Sequence, residues 1–418
     1  MVCRIKDFFY FPIAAYFRFF ARIRLARWHP RVVVVTGSNG KTTTFTLIEM
    51  QLGERAHYSR HANSSFGIPF DILGLTRKSY APIEWLWFFL LAPIYAWKGP
   101  YPENIYVVEA DSDRPGEGEF LSALLEPEVV VWLSSARTHS MNFERSARAR
   151  GVSVDRLIAH EFGYFAERAQ RLVIVNADEP LIGDEVPRAD AKVRALRKTD
   201  ENVRWDITIS GTEFGIGGTR YRVPYLLPEE TWASIAASAE VATYFGVTPT
   251  TELWKAALPP GRSSLLKGIK TTVLIDSTYN ANFSSTRAIL KMVEKFPAKE
   301  LWLVLGDFVE QGSQEKEEHE KLAHLLNGMD VRRILFVGPR VTRYTLPLVV
   351  NKEVIPLEKP ADALEYLRTN LRGGETIVFK GARFLEGVVE HLLADPSDAA
   401  KLCRREEIWR KRRAQWGL

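Results

Sequence analysis

The sequence predicts an α/β protein: a central parallel-sheet ATPase domain of the P-loop type, followed by a smaller Rossmann-like α/β domain. Three observations carry that expectation. Short β-branched and aliphatic runs alternate with helical stretches, the pattern of a parallel sheet covered by helices. The first such run leads straight into a glycine-rich turn, Thr36-Gly37-Ser38-Asn39-Gly40-Lys41-Thr42-Thr43-Thr44. The alternation then restarts after Pro259-Pro260-Gly261, a punctuation that reads as a linker. The 418 residues suffice for two or three domains. A chain that is 46% hydrophobic and 26% charged is globular, which excludes disordered, collagenous and disulfide-scaffold classes. The cysteines, Cys3 and Cys403, lie near opposite ends, form no zinc-type cluster and fit a reducing, cytoplasmic setting.

Residues 1–31 stand apart. Phe8, Phe9, Tyr10, Phe11, Tyr16, Phe17, Phe19 and Phe20 crowd together, and arginines follow them. The uncharged run is too short to span a bilayer, and its charges come after it, unlike a secretory signal. Trp85–Trp97 is a second apolar-aromatic stretch, broken by Pro93 and again too short. Both segments read as candidates for peripheral contact with an anionic membrane, the alternative being helices that pack over a core. From residue 32 to about 259 the central domain is expected. Its buried strands are Val32–Val35, Ile105–Glu109, Val129–Leu133 and Leu172–Asn176, with helices over Lys41–Leu52, Glu119–Leu125 and Leu157–Gln170. Residues 203–226 read as short antiparallel strands, and Thr231–Phe245 as an Ala-rich helix. The second domain, 260–400, has strands at Thr272–Ile275, Leu301–Leu305, Arg333–Val337 and Thr376–Phe379, and a helix over Ser285–Lys295. Residues 401–418 are a basic tail. The net charge of +5 is therefore uneven, with two basic ends and an acidic body. An acidic body argues against a nucleic-acid enzyme.

The turn between Val35 and Thr42 carries the chemistry. Its backbone N–H groups and the start of the following helix suit phosphates, Lys41 suits their charge and Thr42 suits Mg²⁺. The strict G-x-x-x-x-G-K-[ST] pattern is not met, because its first glycine falls on Val35. Glu109 ends a strand at the sheet edge where α/β ligands sit and is a sensible Mg²⁺ ligand. Asn176 and Asp178 follow another buried strand, where they either contact a base or simply turn the chain.

The turn resembles the P-loop variant of the Mur ligases, the ATP-dependent amide-forming enzymes of peptidoglycan precursor synthesis. Further elements are similar: Asn63 to Pro69, Val107-Val108-Glu109-Ala110 with Arg114 to Glu117, Asn176-Ala177-Asp178, Gly261-Arg262, and Phe379-Lys380-Gly381-Ala382-Arg383. Asp276-Ser277-Thr278-Tyr279-Asn280-Ala281-Asn282 resembles the signature of the MurF branch, which adds D-alanyl-D-alanine. The resemblance implies an ADP-forming ligase using ATP and Mg²⁺. Gly37, Ser38, Asn39, Gly40, Lys41, Thr42, Thr43, Asn176, Asp178, Arg262 and Asp276 would bind ATP. Thr42, Glu109 and His139 would hold metal, with Lys41, Glu109 and His139 catalytic. Tyr279, Asn280, Asn282, Lys380 and Arg383 would face substrate. The amine would attack an acyl phosphate in a cleft that domain closure completes.

Three features depart from the family. Only 35 residues precede Thr36, too few for its UDP-sugar-binding domain, so a different acceptor or a helper protein is expected. No lysine lies between Gly151 and Gln170, where many Mur ligases carry a carbamylated one, so either Glu161 supplies the missing carboxylate or a second metal is held weakly. The family's His-Asn-x-x-Asn element falls on Glu230–Ser234. The rival readings are a folyl- or polyglutamate-type ligase and a non-catalytic nucleotide-binding scaffold at a membrane surface.

Overall fold

Buried aliphatic runs form the inner strands of two six-stranded sheets, one in each of two compact units. The computed structural model describes residues 2–59, 62–77, 82–137, 140–331, 333–381 and 384–418, with backbone alone for 2–8 and 82. Residues 1–201 and 233–250 make the first unit, and residues 202–232 and 251–418 the second.

The first unit's sheet contains β1 (Arg31–Thr36), β2 (Ala56–Ser59), β3 (Ile105–Glu109), β4 (Val129–Trp132), β5 (Leu172–Asn176) and β6 (Lys192–Leu196). All six are parallel, in the order β2-β3-β1-β4-β5-β6. β1 is thus central, with Val33 beside both Val107 and Val129. Chain order reverses around β1, and the carboxyl end of such a strand is where α/β proteins open a ligand crevice. The described helices are α1 (Val2–Trp28), α2 (Lys41–Leu52), α3 (Gly67–Leu73), α4 (Pro82–Ala96), α5 (Glu117–Leu125), α6 (Glu144–Arg150), α7 (Val154–Glu167), α8 (Pro180–Glu185) and α9 (Thr231–Tyr244).

Both aromatic segments are helices with a buried side. Along α1, Ala14, Phe17, Ala21, Leu25 and Trp28 recur at steps of three and four and enter the core. α4 runs beside α1 in the same direction: Tyr16 donates to the Phe89 carbonyl at 2.7 Å, and Arg24 to that of Tyr95 at 3.4 Å. Among the described residues no helix is long and apolar enough to cross a membrane.

α5 and α7 meet where Gly118 faces the backbone of Glu161. A Cβ on Gly118 would stand 2.0 Å from the Glu161 carbonyl oxygen. The Glu161 carboxylate, 2% exposed, accepts the Gly116 N–H at 2.7 Å and the Gly118 N–H at 3.0 Å. Both its oxygens therefore satisfy the start of α5. That corrects the expectation that Glu161 replaces the missing lysine at the phosphate turn.

The second unit holds an antiparallel sheet of β7 (Arg204–Thr208), β8 (Gly211–Ile216) and β9 (Thr219–Val223). Its larger sheet has β10 (Ser264–Lys267), β11 (Val273–Ser277), β12 (Leu301–Gly306), β13 (Arg333–Val337), β14 (Glu353–Leu357) and β15 (Thr376–Lys380), in the order β10-β11-β15-β12-β13-β14. Only β10 is antiparallel to its neighbour. Helices α10 (Phe283–Glu294), α11 (Glu315–Asn327), α12 (Pro360–Asn370), α13 (Leu385–Glu390) and α14 (Glu407–Ala414) complete it. The basic tail is docked within this unit: Arg404 pairs with Glu386, and Arg405 and Arg413 with Glu390.

Gly118→Ala should destabilise the first unit by about 3 kcal/mol, since the methyl must displace helix backbone rather than a flexible side chain. Urea unfolding followed by circular dichroism checks this. A midpoint equal to that of the wild type would contradict the close approach of α5 and α7.

Candidate active site

The phosphate turn closes over the carboxyl ends of β1, β3 and β4. Residues 37–40 are stitched to the segment after β4. Ser38 N–H donates to the Ser134 carbonyl at 3.1 Å, Asn39 N–H to Ser134 Oγ at 2.8 Å, and Ser134 Oγ to the Asn39 carbonyl at 2.7 Å. Ser38 Oγ donates to the Ala136 carbonyl at 2.6 Å and accepts the Ala136 N–H at 2.9 Å. Gly37 is required where it stands. Its φ is +117°, and a Cβ would lie 2.6 Å from the Ser134 carbonyl oxygen. Gly40, at φ 78°, is the N-cap of α2, and no side chain caps that helix. An uncapped helix start with a positive dipole end is a fitting cradle for phosphate.

Lys41 is the first residue of α2 and is 8% exposed. Its ammonium donates to the Gly37 carbonyl at 2.6 Å and lies 2.8 Å from Asp111 Oδ2. Burial alone would lower its pKa, but the carboxylates of Asp111 and Glu109 outweigh burial and hold it above its ordinary value. The turn therefore contains a permanently charged, buried cation. Asp111 follows β3 and is itself 8% exposed. Sequence reasoning missed it; its one signal was a carboxylate two residues beyond the strand-ending Glu109.

Thr42 Oγ1 donates to Glu109 Oε1 at 3.3 Å, so a hydroxyl from α2 and a carboxylate from β3 face each other. These two hard oxygens fit Mg²⁺, which takes few protein ligands and fills its octahedron with phosphate and water oxygens. Among the described residues no group of three or more His, Cys, Asp or Glu side chains could hold a metal. His139, expected beside them, lies outside the described residues, as does Arg383. Thr43 is half-buried on the first turn of α2. The Ala-rich helix α9 also reaches this region, because Thr44 Oγ1 donates to Ser234 Oγ at 2.8 Å. Asn176 Nδ2 donates to the Leu133 carbonyl at 3.2 Å, tying β5 to β4, and Asp178 accepts the Lys198 N–H at 2.8 Å.

The second unit gathers a separate group at the carboxyl ends of β11 and β15, where Ser277 is paired with Lys380. Asp276 is fully buried. Its Oδ1 accepts the Thr278 hydroxyl at 2.6 Å and N–H at 3.0 Å, while Oδ2 has no hydrogen-bond partner among the described residues. Burial pushes its pKa up to about 6, against those two bonds. Lys380, 5% exposed, donates to the Asn280 carbonyl at 2.6 Å. Burial, reinforced by the Arg262 guanidinium and opposed by Asp276, brings its pKa down to about 7. Tyr279 is 46% exposed, with Arg262 4.6 Å and Arg404 5.6 Å from its ring centre. Asn280 Oδ1 accepts the Ala281 N–H at 2.8 Å, and Asn282 Oδ1 caps α10 through the Ser285 N–H at 2.8 Å.

The family model for the Mur ligase glutamate ligase domain matches residues 261–383, which span this second group. The chain is 25% identical over 397 residues to UDP-N-acetylmuramoyl-tripeptide–D-alanyl-D-alanine ligase of Bacillus subtilis, covering 90% of this chain and 79% of that one. It is 27% identical over 326 residues to the Escherichia coli ligase of the same name, covering 74% and 64%. Its fold is similar to that of the MurF ligase of Thermotoga maritima in complex with ADP, with a TM-score of 0.71 at 23% identity over 96% of this chain and 84% of that one. MurF of Acinetobacter baumannii gives 0.72 at 20% identity over 92% and 81%. Folylpolyglutamate synthase of Thermotoga maritima gives 0.53 at 12% identity, over 97% and 100%.

In the second unit, Arg404 is another residue that sequence reasoning missed. It donates to the carbonyls of Thr278 at 3.1 Å and Tyr279 at 2.6 Å and contacts Glu386 at 3.4 Å. A residue of the basic tail thus braces the Asp276–Asn282 segment, a contact that only the tertiary fold creates.

A lowered lysine pKa has a definite sign. Between about pH 7 and the ordinary 10.5, the folded protein binds fewer protons at Lys380 than the unfolded chain, so the native state gains stability as pH rises through that window. Methionine lacks this dependence. Lys380→Met should therefore compare more favourably with wild type at pH 6 than at pH 9, by about 2–3 kcal/mol in urea unfolding. A pH-independent difference would show that Lys380 keeps an ordinary pKa.

Proposed function

We propose that the protein is an ATP-dependent, ADP-forming amide ligase of MurF type, acting in cell-wall peptide precursor synthesis. The observation that carries this reading is the buried, charged Lys41 at the mouth of an uncapped helix, with the Thr42 hydroxyl and Glu109 carboxylate paired beside it. Relatives at 25% and 27% identity that bear the MurF activity in their names support it.

In this reading a substrate carboxylate oxygen attacks the γ-phosphorus of ATP, the bond to the bridging oxygen breaks, and ADP departs with the electron pair. The amine of an amino acid or dipeptide then attacks the acyl carbon. Inorganic phosphate leaves and the nitrogen loses a proton. Lys41 and the first-turn N–H groups of α2 spread the negative charge that builds on the transferring group. Gly37 and Gly40 let the backbone approach the phosphates, with Ser38, Asn39 and Thr43 completing the wall. Thr42 and Glu109, with His139, would hold Mg²⁺, which would neutralise phosphate charge. In the second unit, Arg262 and Asp276 are assigned to the nucleotide, as are Asn176 and Asp178 in the first. Tyr279, Asn280, Asn282, Lys380 and Arg383 are assigned to substrate. The work of these groups is positioning, which converts a meeting of three molecules into a step within one complex.

Lys41→Ala should lower ADP release by a factor of about 1,000 or more while circular dichroism stays native. The assay supplies ATP, Mg²⁺, UDP-N-acetylmuramoyl tripeptide and D-alanyl-D-alanine, with a folate–glutamate pair in parallel. Wild-type release that requires the muramoyl and dipeptide substrates supports the reading. Turnover with the folate pair alone would favour the glutamate-adding alternative, and retained product formation in the variant would refute both.

A further inference from the structure

On α4, the exposed positions are all apolar. Ile83, Leu86, Trp87, Leu90 and Ile94, continued by Trp97 just past its end, share one side of the helix and are 59–66% exposed. The opposite side, Phe88, Ala92 and Ala96, is buried. α4 therefore has apolar side chains on both faces, and its outer row is too continuous to be scattered surface residues. The one acidic residue of the helix, Glu84, is in its first turn and contacts Arg77 at 4.0 Å.

Cations gather where the row ends. Arg27, exposed on α1, donates to the carbonyls of Ala96 at 3.4 Å and Lys98 at 3.2 Å, and lies 5.3 Å from the Trp97 ring centre. Lys98 Nζ stands 3.3 Å from the ring centre of Tyr95. α1 adds the exposed Phe19, 61% accessible, and the exposed Arg22. The chain up to residue 31 holds seven basic side chains against Asp7.

We infer that this row is a docking surface for an anionic lipid bilayer, with α4 lying in the plane of the headgroups. The 15 residues of α4 extend about 22 Å, which suits a helix lying in the interface. Tryptophan beside arginine and lysine suits the headgroup level, where indole is half-solvated and the cations meet lipid phosphates. The row offers no polar side chain to orient a protein partner. A second copy of the chain would bring the same cations, Arg27 and Lys98, to a face with no acid along its row to receive them. Anionic headgroups supply that missing charge.

The test uses the full chain with vesicles of phosphatidylglycerol and phosphatidylcholine mixed, and of phosphatidylcholine alone. Cosedimentation with the mixed vesicles, a blue shift of tryptophan emission on binding, and weakening by salt are expected. Leu90→Glu with Ile94→Glu should reduce binding at least tenfold while leaving thermal unfolding and ADP release in solution unchanged. Lys98→Glu should weaken binding to the mixed vesicles and reduce its salt dependence. Equal binding to both vesicle types, binding to neither, or a wild-type dimer that the double substitution converts to monomer without any vesicle binding would each overturn the inference. ADP release is read separately, so failure of lipid binding and failure of the ligase reading are distinguishable.

Discussion

A buried ammonium held charged by two carboxylates organises the first unit. Lys41 sits where burial would discharge it, and Asp111 and Glu109 prevent that. The lysine lies against the Gly37 carbonyl and the Asp111 carboxylate, so the turn is built around its own counter-ion. Removing one partner of such a pair leaves a buried charge uncompensated, which costs far more than the pair contributes. The same arrangement explains why the turn is so heavily tied to Ser134 and Ala136. Ser38 and Asn39 give their N–H groups to Ser134, and that brace fixes the start of α2, whose first-turn N–H groups would meet an anion without reorganising.

The second unit answers with the opposite device. Lys380 is as buried as Lys41, but its charged neighbours are Arg262, which repels, and one carboxylate, Asp276. Its pKa falls to about 7 where that of Lys41 rises. Two lysines at the carboxyl ends of parallel strands thus take different protonation behaviour from their surroundings alone. A fixed charge suits a triphosphate. A group near neutrality can be a cation for one ligand and an amine for the next. Asp276, with one oxygen satisfied and the other without a hydrogen-bond partner among the described residues, belongs to the same cluster.

The exposed row on α4 follows a different logic. The buried side of α4 is accounted for by packing against α1 and α3, whereas its outer side is exposed and packs against nothing among the described residues. Tyrosine, arginine and lysine around its end keep polar tips available at the boundary between that row and water. Chemistry at the phosphate turn and attachment through α4 would then be physically independent properties of one unit.

The inner strands of both sheets were legible as residues in a row. β1, β3, β4 and β5, and likewise β11, β12, β13 and β15, are flanked on both sides and covered by helices, so they read as uninterrupted aliphatic runs. β2, β6, β10 and β14 passed unread. Each is an edge strand, partly exposed and mixed in composition, whose strand character comes from the neighbour it pairs with. The turn before α2 was legible as a turn for a local reason: Gly37 and Gly40 take positive φ, which glycine adopts readily, directly after a buried strand and before a helix. What the chain order could not disclose was every contact made at long range. Asp111 reaches Lys41 across two strands, Glu161 turns from the phosphate turn to the start of α5, and Arg404 returns from the tail to brace Tyr279. Pattern along the chain specifies which residues seek burial or a phosphate; which charge stands beside which is settled only when the sheet brings distant strand ends together.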